Sequence, residues 1–172
     1  PLYHDMGLIG GLLQPIFSGV PCVLMSPAYF LGRPLRWLEA ISEYSGTISG
    51  GPDFAYRLCN ERVSESALER LDLSGWRVAY SGSEPIRLDT LDRFGEKFAV
   101  CGFTTDSFMA SYGLAEATLF VAGTPRGQGI GNLRVDDQTL AQNRAEPGEG
   151  SAIMSCGISQ PDHAVLIVDP VA

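Results

Sequence analysis

Short apolar runs alternate with amphipathic stretches along most of this chain, and that alternation restricts the fold more than any single motif. "PCVLM" (21–25), "GTIS" (46–49) and "WRVAYSG" (76–82) read as strands, as do "SFMASYG" (107–113) and "HAVLIVD" (163–169). Helical segments lie between them. "RPLRWLEAISEY" (33–44) has Pro34 suited to a first turn, with Leu35, Leu38 and Ile41 recurring at three-residue steps. "PDFAYRLCNERV" (52–63) is expected to turn Phe54, Leu58 and Cys59 inward. "IRLDTLDRFGEKFA" (86–99) sets Leu91, Phe94 and Phe98 on one side. This alternation with short links predicts an α/β fold, a mostly parallel sheet layered with helices. The sequence contains no internal repeat and no coiled-coil heptad.

A chain of 172 residues, 45% hydrophobic, suits one globular domain with a sizeable core. The net charge of -8, from 20 acidic and 12 basic residues, argues against general nucleic-acid affinity. It leaves open a small-molecule phosphate site, where backbone amides and a metal neutralise the charge. Cys22, Cys59, Cys101 and Cys156 are far apart, form no CxxC pair and lie in or beside apolar sequence. They read as reduced core residues of a cytoplasmic protein. No apolar run is long enough to span a membrane. The chain begins at Pro1 and ends at "IVDPVA", which reads as a piece of a longer protein.

"TPRGQGIGNLRVDDQTLAQNRAEPGEG" (124–150) breaks the rhythm with Gly, polar and charged residues. Composition alone reads it as a surface loop, although loops of that length are uncommon unless functional or disordered. Leu133, Val135 and Leu140 are spaced through it, and are expected to anchor its middle on the domain body while the Gly-rich ends stay loose.

Three turns follow apolar runs: "PLYHDMGLIGG" (1–11), "AYSGSEPIR" (79–87) and "SYGLAEAT" (111–118). In open α/β sheets, ligands gather outside the carboxyl ends of strands, so two of these turns are expected to meet at one crevice. Taken singly, each residue also has an ordinary reading: Tyr112 as core, His4 as a hydrogen-bonded structural histidine, Glu84 and Glu116 as solvated carboxylates. His4 and His163 are too few and too scattered for a zinc site. There is no GxSxG elbow, P-loop or GxGxxG.

Together, "PLYHDMGLIGGLLQPIFSGVPCVLMSP", "ISGGPDFAYRLC", "SGSEPIR" and "SYGLAEATLFVAG" resemble successive blocks of the fatty acyl-AMP ligases. These belong to the adenylate-forming superfamily, with acyl-CoA synthetases, luciferases and peptide synthetase adenylation domains. The resemblance covers nearly the whole chain, in order, and implies that residues 1–172 are the central part of an adenylation domain, incomplete at both ends. It implies a fatty acid substrate, ATP/AMP and Mg2+ as cofactors, and an acyl carrier protein bearing phosphopantetheine as partner. In the reaction it implies, the carboxylate attacks the α-phosphate of ATP to give acyl-adenylate and pyrophosphate, and the acyl group then passes to the thiol with release of AMP.

The resemblance also implies roles for residues. Glu116 matches the glutamate that holds magnesium, and His4 the histidine near the acyl carboxylate and α-phosphate. Tyr112 matches the aromatic against adenine, within a nucleotide-binding run Ser111, Tyr112, Gly113, Leu114 and Ala115. The turn Ser81, Gly82, Ser83, Glu84 and Pro85 matches the adenine-binding loop, and Met6 and Gly7 the mouth of the acyl tunnel. The family loop commonly reads Asn-Gly-Ala-Glu-Pro, so Ser81 and Ser83 depart from it and leave the side-chain contact at 81 in question. Ala115 stands where the wider superfamily often has Thr, as is usual in acyl-AMP ligases. Residues 124–150 fall where these ligases carry an insertion that hinders the rotation needed for CoA thioesterification. The phosphate loop with its Lys, the ribose-binding Asp and the C-terminal catalytic Lys belong outside the chain in this family, so the isolated piece is expected to be inactive. Two alternatives stay open: a segment of an acyl-CoA synthetase, and a degenerate, non-catalytic adenylate-binding or scaffold domain.

Overall fold

A computed structural model describes residues 1–161 and 163–168. The chain opens with a π-helical stretch, Met6–Leu13, that runs into α1 (Gln14–Ser18). Gly19, in the left-handed conformation at φ 65°, ends it. After an irregular segment come α2 (Pro27–Gly32) and α3 (Leu35–Glu43). Ser26 caps α2, its Oγ accepting the Tyr29 N–H at 3.2 Å. Then follow β1 (Ile48–Gly51), α4 (Asp53–Arg62), α5 (Glu65–Leu68), β2 (Val78–Ser81), α6 (Leu88–Phe98) and β3 (Phe108–Gly113). The chain continues through β4 (Phe120–Gly123), β5 (Asn132–Val135), α7 (Asp137–Leu140), β6 (Pro147–Met154) and β7 (Ile158–Ser159).

β1, β2 and β3 form the parallel part of a five-stranded sheet of order β1-β2-β3-β4-β7, joined by the α4 and α6 crossovers. β4 runs antiparallel to β3, and β7 antiparallel to β4. The α/β class expected from the alternation is therefore the observed one.

The core contains Leu38, Tyr56, Cys59, Trp76, Phe94, Phe98 and Phe108, all buried. The rings of Tyr56 and Phe94 meet edge to face at 5.1 Å, and those of Trp76 and Phe103 tilt together at 5.3 Å. The polar ends are satisfied: Tyr56 Oη donates to the Tyr80 carbonyl at 2.7 Å, and Trp76 Nε1 to that of Val78 at 3.0 Å. Burial pushes the Tyr56 phenol well above its ordinary range, which keeps it a donor.

Several local expectations are corrected. Residues 21–25 form no strand, and Val23 and Leu24 are exposed without a strand neighbour. Residues 163–168 form none either, with Val165 to Val168 exposed; residue 169 lies outside the described residues. An apolar run becomes a strand only where another strand takes up its N–H and C=O groups. β1 starts two residues late because Gly46 still closes α3, its N–H donating to the Ile41 carbonyl at 2.8 Å. On α4 the buried face is Asp53, Ala55, Tyr56 and Cys59, while Phe54 and Leu58 are half-buried. Tyr56 goes inward because its hydroxyl finds a carbonyl there. Cys59 and Cys101 are buried but Cys22 and Cys156 are exposed, so only two of the four are core residues; all four are free thiols. Burial pushes the Cys59 thiol up to about 12.

Residues 124–150 are ordered in a way composition did not suggest. β5 and β6 pair antiparallel as a hairpin with α7 between them. Val135 is fully buried, Leu140 half-buried and Leu133 48% exposed, so Val135 alone of the three expected anchors is a core residue, and it lies outside the main core cluster. The attachment is at the base instead. Ile130 and Met154 pack on the main core, and the Gly129 N–H donates to the Asp106 carbonyl at 3.3 Å. Among the described residues no helix is long and apolar enough to cross a membrane.

Candidate active site

Parallel pairing sets the carboxyl ends of β2 and β3 side by side, with Ser81 in register with Ala110. Ser111 Oγ donates to the Ser81 carbonyl at 3.1 Å. A Cβ on Gly82 would overlap the Ser111 carbonyl and come within 2.5 Å of its Oγ, so only glycine lets the two strands approach here. Ser81 is itself fully buried, and its Oγ has no partner among the described residues. Ser83, Glu84 and Pro85 are exposed.

The next residue on β3 is Tyr112, which is 48% exposed. A β-bulge follows between Tyr112 and Gly113. A side chain at Gly113 would collide with the Leu119 carbonyl, and Leu114 N–H donates to that same oxygen at 2.9 Å. This tight return carries Ala115 and Glu116 in a 3₁₀ turn, with both residues exposed. Glu116 lines a shallow cleft with Ile9 and Gly10 of the π-helical stretch and with His163.

The N-terminal segment reaches the same region. Ser83 Oγ donates to Met6 Sδ at 3.5 Å across 77 positions of sequence. Gly7 packs so closely on the Pro1 carbonyl that a Cβ would overlap it. His4 engages its own neighbours: Nδ1 lies 2.7 Å from Asp5 Oδ1, and the Met6 N–H donates toward both His4 Nδ1 (3.1 Å) and Asp5 Oδ1 (2.7 Å). The structure thus brings Met6, the 81–85 turn and Ser111 to one end of the sheet and places Glu116 in one cleft with Ile9 and Gly10. It shows no hydrogen bond between His4 and the two turns.

Two residues near the site were not among its sequence candidates. Asp53, at the start of α4, is buried, and its Oδ1 accepts the Arg87 N–H at 2.9 Å just after the turn. Burial raises its carboxyl above the usual range, the Arg87 and Thr90 hydrogen bonds pull it down, and the Glu84 charge adds a further upward push. His163 reaches the Glu116 cleft from the far end of the chain, and its Nδ1 is buried with no partner among the described residues. Neither proximity leaves a spacing signal in the sequence.

The surroundings fit a nucleotide: glycine backbone at Gly82 and Gly113, a half-open tyrosine face, and an exposed carboxylate. No group of three or more His, Cys, Asp or Glu side chains that could hold a metal occurs among the described residues. A magnesium ion on Glu116 would therefore complete its shell with phosphate oxygens and water, as that ion commonly does.

Known proteins are similar to this chain in sequence and fold. The chain is 45% identical, over its whole length, to the medium-chain-fatty-acid–[acyl-carrier-protein] ligase TtuA of Teredinibacter turnerae, of which it covers 27%. The crystal structure of a fatty acid AMP ligase from Legionella pneumophila superposes on 99% of the chain with a TM-score of 0.94 at 40% identity; the chain covers 30% of it. A fatty acyl-adenylate ligase from the same organism, solved with acyl adenylate and pyrophosphate, matches 92% of the chain with a TM-score of 0.89 at 40% identity; the chain covers 29% of it. The chain therefore spans under a third of the length of these relatives. The family model for AMP-binding enzymes matches residues 1–171, and the chain belongs to that family.

Proposed function

We propose that this chain is the central part of the adenylation domain of a fatty acyl-AMP ligase, and that its parent protein activates a fatty acid with ATP and delivers the acyl group to an acyl carrier protein. The observation that carries the reading is the junction at the ends of β2 and β3. There the Ser81–Ser111 hydrogen bond and the Gly82 contact set the 81–85 turn beside Tyr112, and Met6 closes on Ser83. The relatives' names supply the chemistry: acyl-carrier-protein ligase, fatty acid AMP ligase, and a complex with acyl adenylate.

The chemical difficulty is that a carboxylate must attack a polyanion. Oriented donors and a divalent cation offset the charge that develops on the phosphates. In this reading the backbone of the 81–85 turn receives the adenine edge and Tyr112 stacks on its face. Gly113, Leu114 and Ala115 bring main chain close to the nucleotide, and Glu116 holds magnesium. His4 stands near the acyl carboxylate and α-phosphate, and Met6 and Gly7 border the acyl chain. The 132–154 hairpin acts on acceptor choice by restraining domain rotation, which favours a carrier protein over free CoA. A cytoplasmic setting accords with the free thiols.

The test is to incubate the full-length parent with ATP, Mg2+ and a series of fatty acids, offering holo-acyl carrier protein and CoA in parallel, and to read products by mass spectrometry. Acyl-AMP and acylated carrier protein are expected. Acyl-CoA as the main product would make it an acyl-CoA synthetase, and no acyl-AMP with any fatty acid would contradict the activity altogether.

A further inference from the structure

Glu84 lies in the middle of the candidate nucleotide turn, yet its carboxylate is engaged elsewhere. Oε1 accepts the Phe54 backbone N–H at 2.6 Å, in the first turn of α4. The residue beside Phe54 reaches back the other way. Asp53 Oδ1 accepts the Arg87 N–H at 2.9 Å, and its Oδ2 accepts the Thr90 hydroxyl at 3.0 Å, both at the start of α6. The two links cross. A residue of the turn holds the start of α4, and a residue of α4 holds the start of α6.

Each link fills a gap that helix geometry creates, since the first N–H groups of a helix have no partner within it. The residues just before α4 and α6, Pro52 and Arg87, supply no side-chain cap. The caps come crosswise from Glu84 and Asp53 instead. The turn between them also needs holding. Ser83 has φ 69°, a left-handed conformation that costs a non-glycine residue energy and persists only where its surroundings impose it.

We propose that Glu84 and Asp53 form a crossed clamp that fixes the 81–85 turn on α4 and α6, which makes Glu84 a positioning residue for the nucleotide and not a group that touches it. The functional half of this inference rests on the turn being the nucleotide site, as proposed above. The clamp itself rests only on the hydrogen bonds.

The experiment uses the full-length protein with Glu84→Ala and Glu84→Gln. Glutamine keeps an oxygen acceptor for the Phe54 N–H and removes the charge. Two quantities are read: amide hydrogen exchange of the peptide spanning 81–87, and the Kd for AMP by calorimetry. With Glu84→Ala, exchange should speed up and the AMP Kd should rise, each by about tenfold or more. Glu84→Gln should restore exchange and Kd to within about threefold of the wild type. Unchanged exchange in Glu84→Ala would overturn the clamp. Glu84→Gln as impaired as Glu84→Ala in AMP binding, with normal exchange, would overturn the positioning role and make the carboxylate a direct contact. A wild type that binds no AMP would contradict the nucleotide site itself, and the exchange comparison would still decide the clamp.

Discussion

Ser111 donates its hydroxyl hydrogen to the carbonyl of Ser81 at 3.1 Å, joining the last residue of β2 to β3 one position before Tyr112. The neighbouring Gly82 has no room for a side chain against Ser111. The two strand ends are thus held at a spacing that any Cβ at 82 would widen. Gly82→Ala in the parent protein should raise the KM for ATP by about tenfold or more while the protein still folds. Ser111→Ala removes one hydrogen bond worth about 1 kcal/mol and should have a smaller effect in the same direction. Steady-state kinetics with varied ATP checks both, and a wild-type KM in Gly82→Ala would contradict the packing argument.

The hairpin gives a second prediction. Gly131 and Ser155 already meet at its base, the Ser155 N–H donating to the Gly131 carbonyl at 2.8 Å. Asn132 and Met154 are paired across the hairpin, so residues 133–153 can be replaced by a short link that leaves Ile130 and Met154 on the core. The shortened parent should form acyl-AMP within about threefold of the wild-type rate and make more acyl-CoA. Unchanged acyl-CoA output would show that the hairpin does not select the acceptor.

Acid stability is a third. Hydrogen bonds from the Ser74 hydroxyl and N–H hold the Asp72 carboxyl below its ordinary value of 3.8, and hydrogen bonding from Ser151 does the same for Asp137. A depressed carboxyl stabilises the fold above the unfolded-state value and loses that contribution as pH falls through the folded one. Asp53 has the opposite sign: its raised carboxyl favours the fold at pH below 3.8 and loses that contribution as pH climbs through its folded value. Melting temperatures across pH 2–7, an interval of roughly the carboxylate range, should show Asp72→Asn and Asp137→Asn below wild type at neutral pH. The gap should close at the acid end. A gap independent of pH would contradict the assignment.

Core packing yields a fourth. Phe94 is fully buried, with ring contacts to Tyr56 at 5.1 Å and Phe103 at 5.2 Å. Phe94→Ala should cost about 3–5 kcal/mol in denaturant unfolding of the full-length protein. A loss below about 1 kcal/mol would mean the cluster rearranges to fill the space.

Legibility in the sequence followed periodicity. α6 was readable because Leu91, Phe94 and Phe98 mark one face without ambiguity, and all three are buried. α4 was readable as a helix but not in its facing, because the burial of Tyr56 depends on a carbonyl of β2 that no local pattern reveals. The apolar run 21–25 misled because apolarity alone does not supply a strand neighbour. Residues 124–150 misled in the other direction, since a hairpin rich in Gly and charge has the composition of a loop. The candidate site residues are named through the order and spacing of four blocks that resemble one family. Asp53 was missed because its importance lies in a contact 34 positions away with Arg87.

Glu116, exposed on the tight return after β3, is the carboxylate on which the proposed nucleotide chemistry depends. Fatty-acid-dependent exchange of pyrophosphate into ATP by the full-length protein, wild type against Glu116→Gln, measures this most directly. An amide has the shape of the carboxylate but binds a hard cation poorly. Wild type should exchange, and Glu116→Gln should fall by about a hundredfold with an unchanged melting temperature. Exchange at the wild-type rate in Glu116→Gln would contradict the role given to this residue, and a wild type without fatty-acid-dependent exchange would contradict the proposed activity.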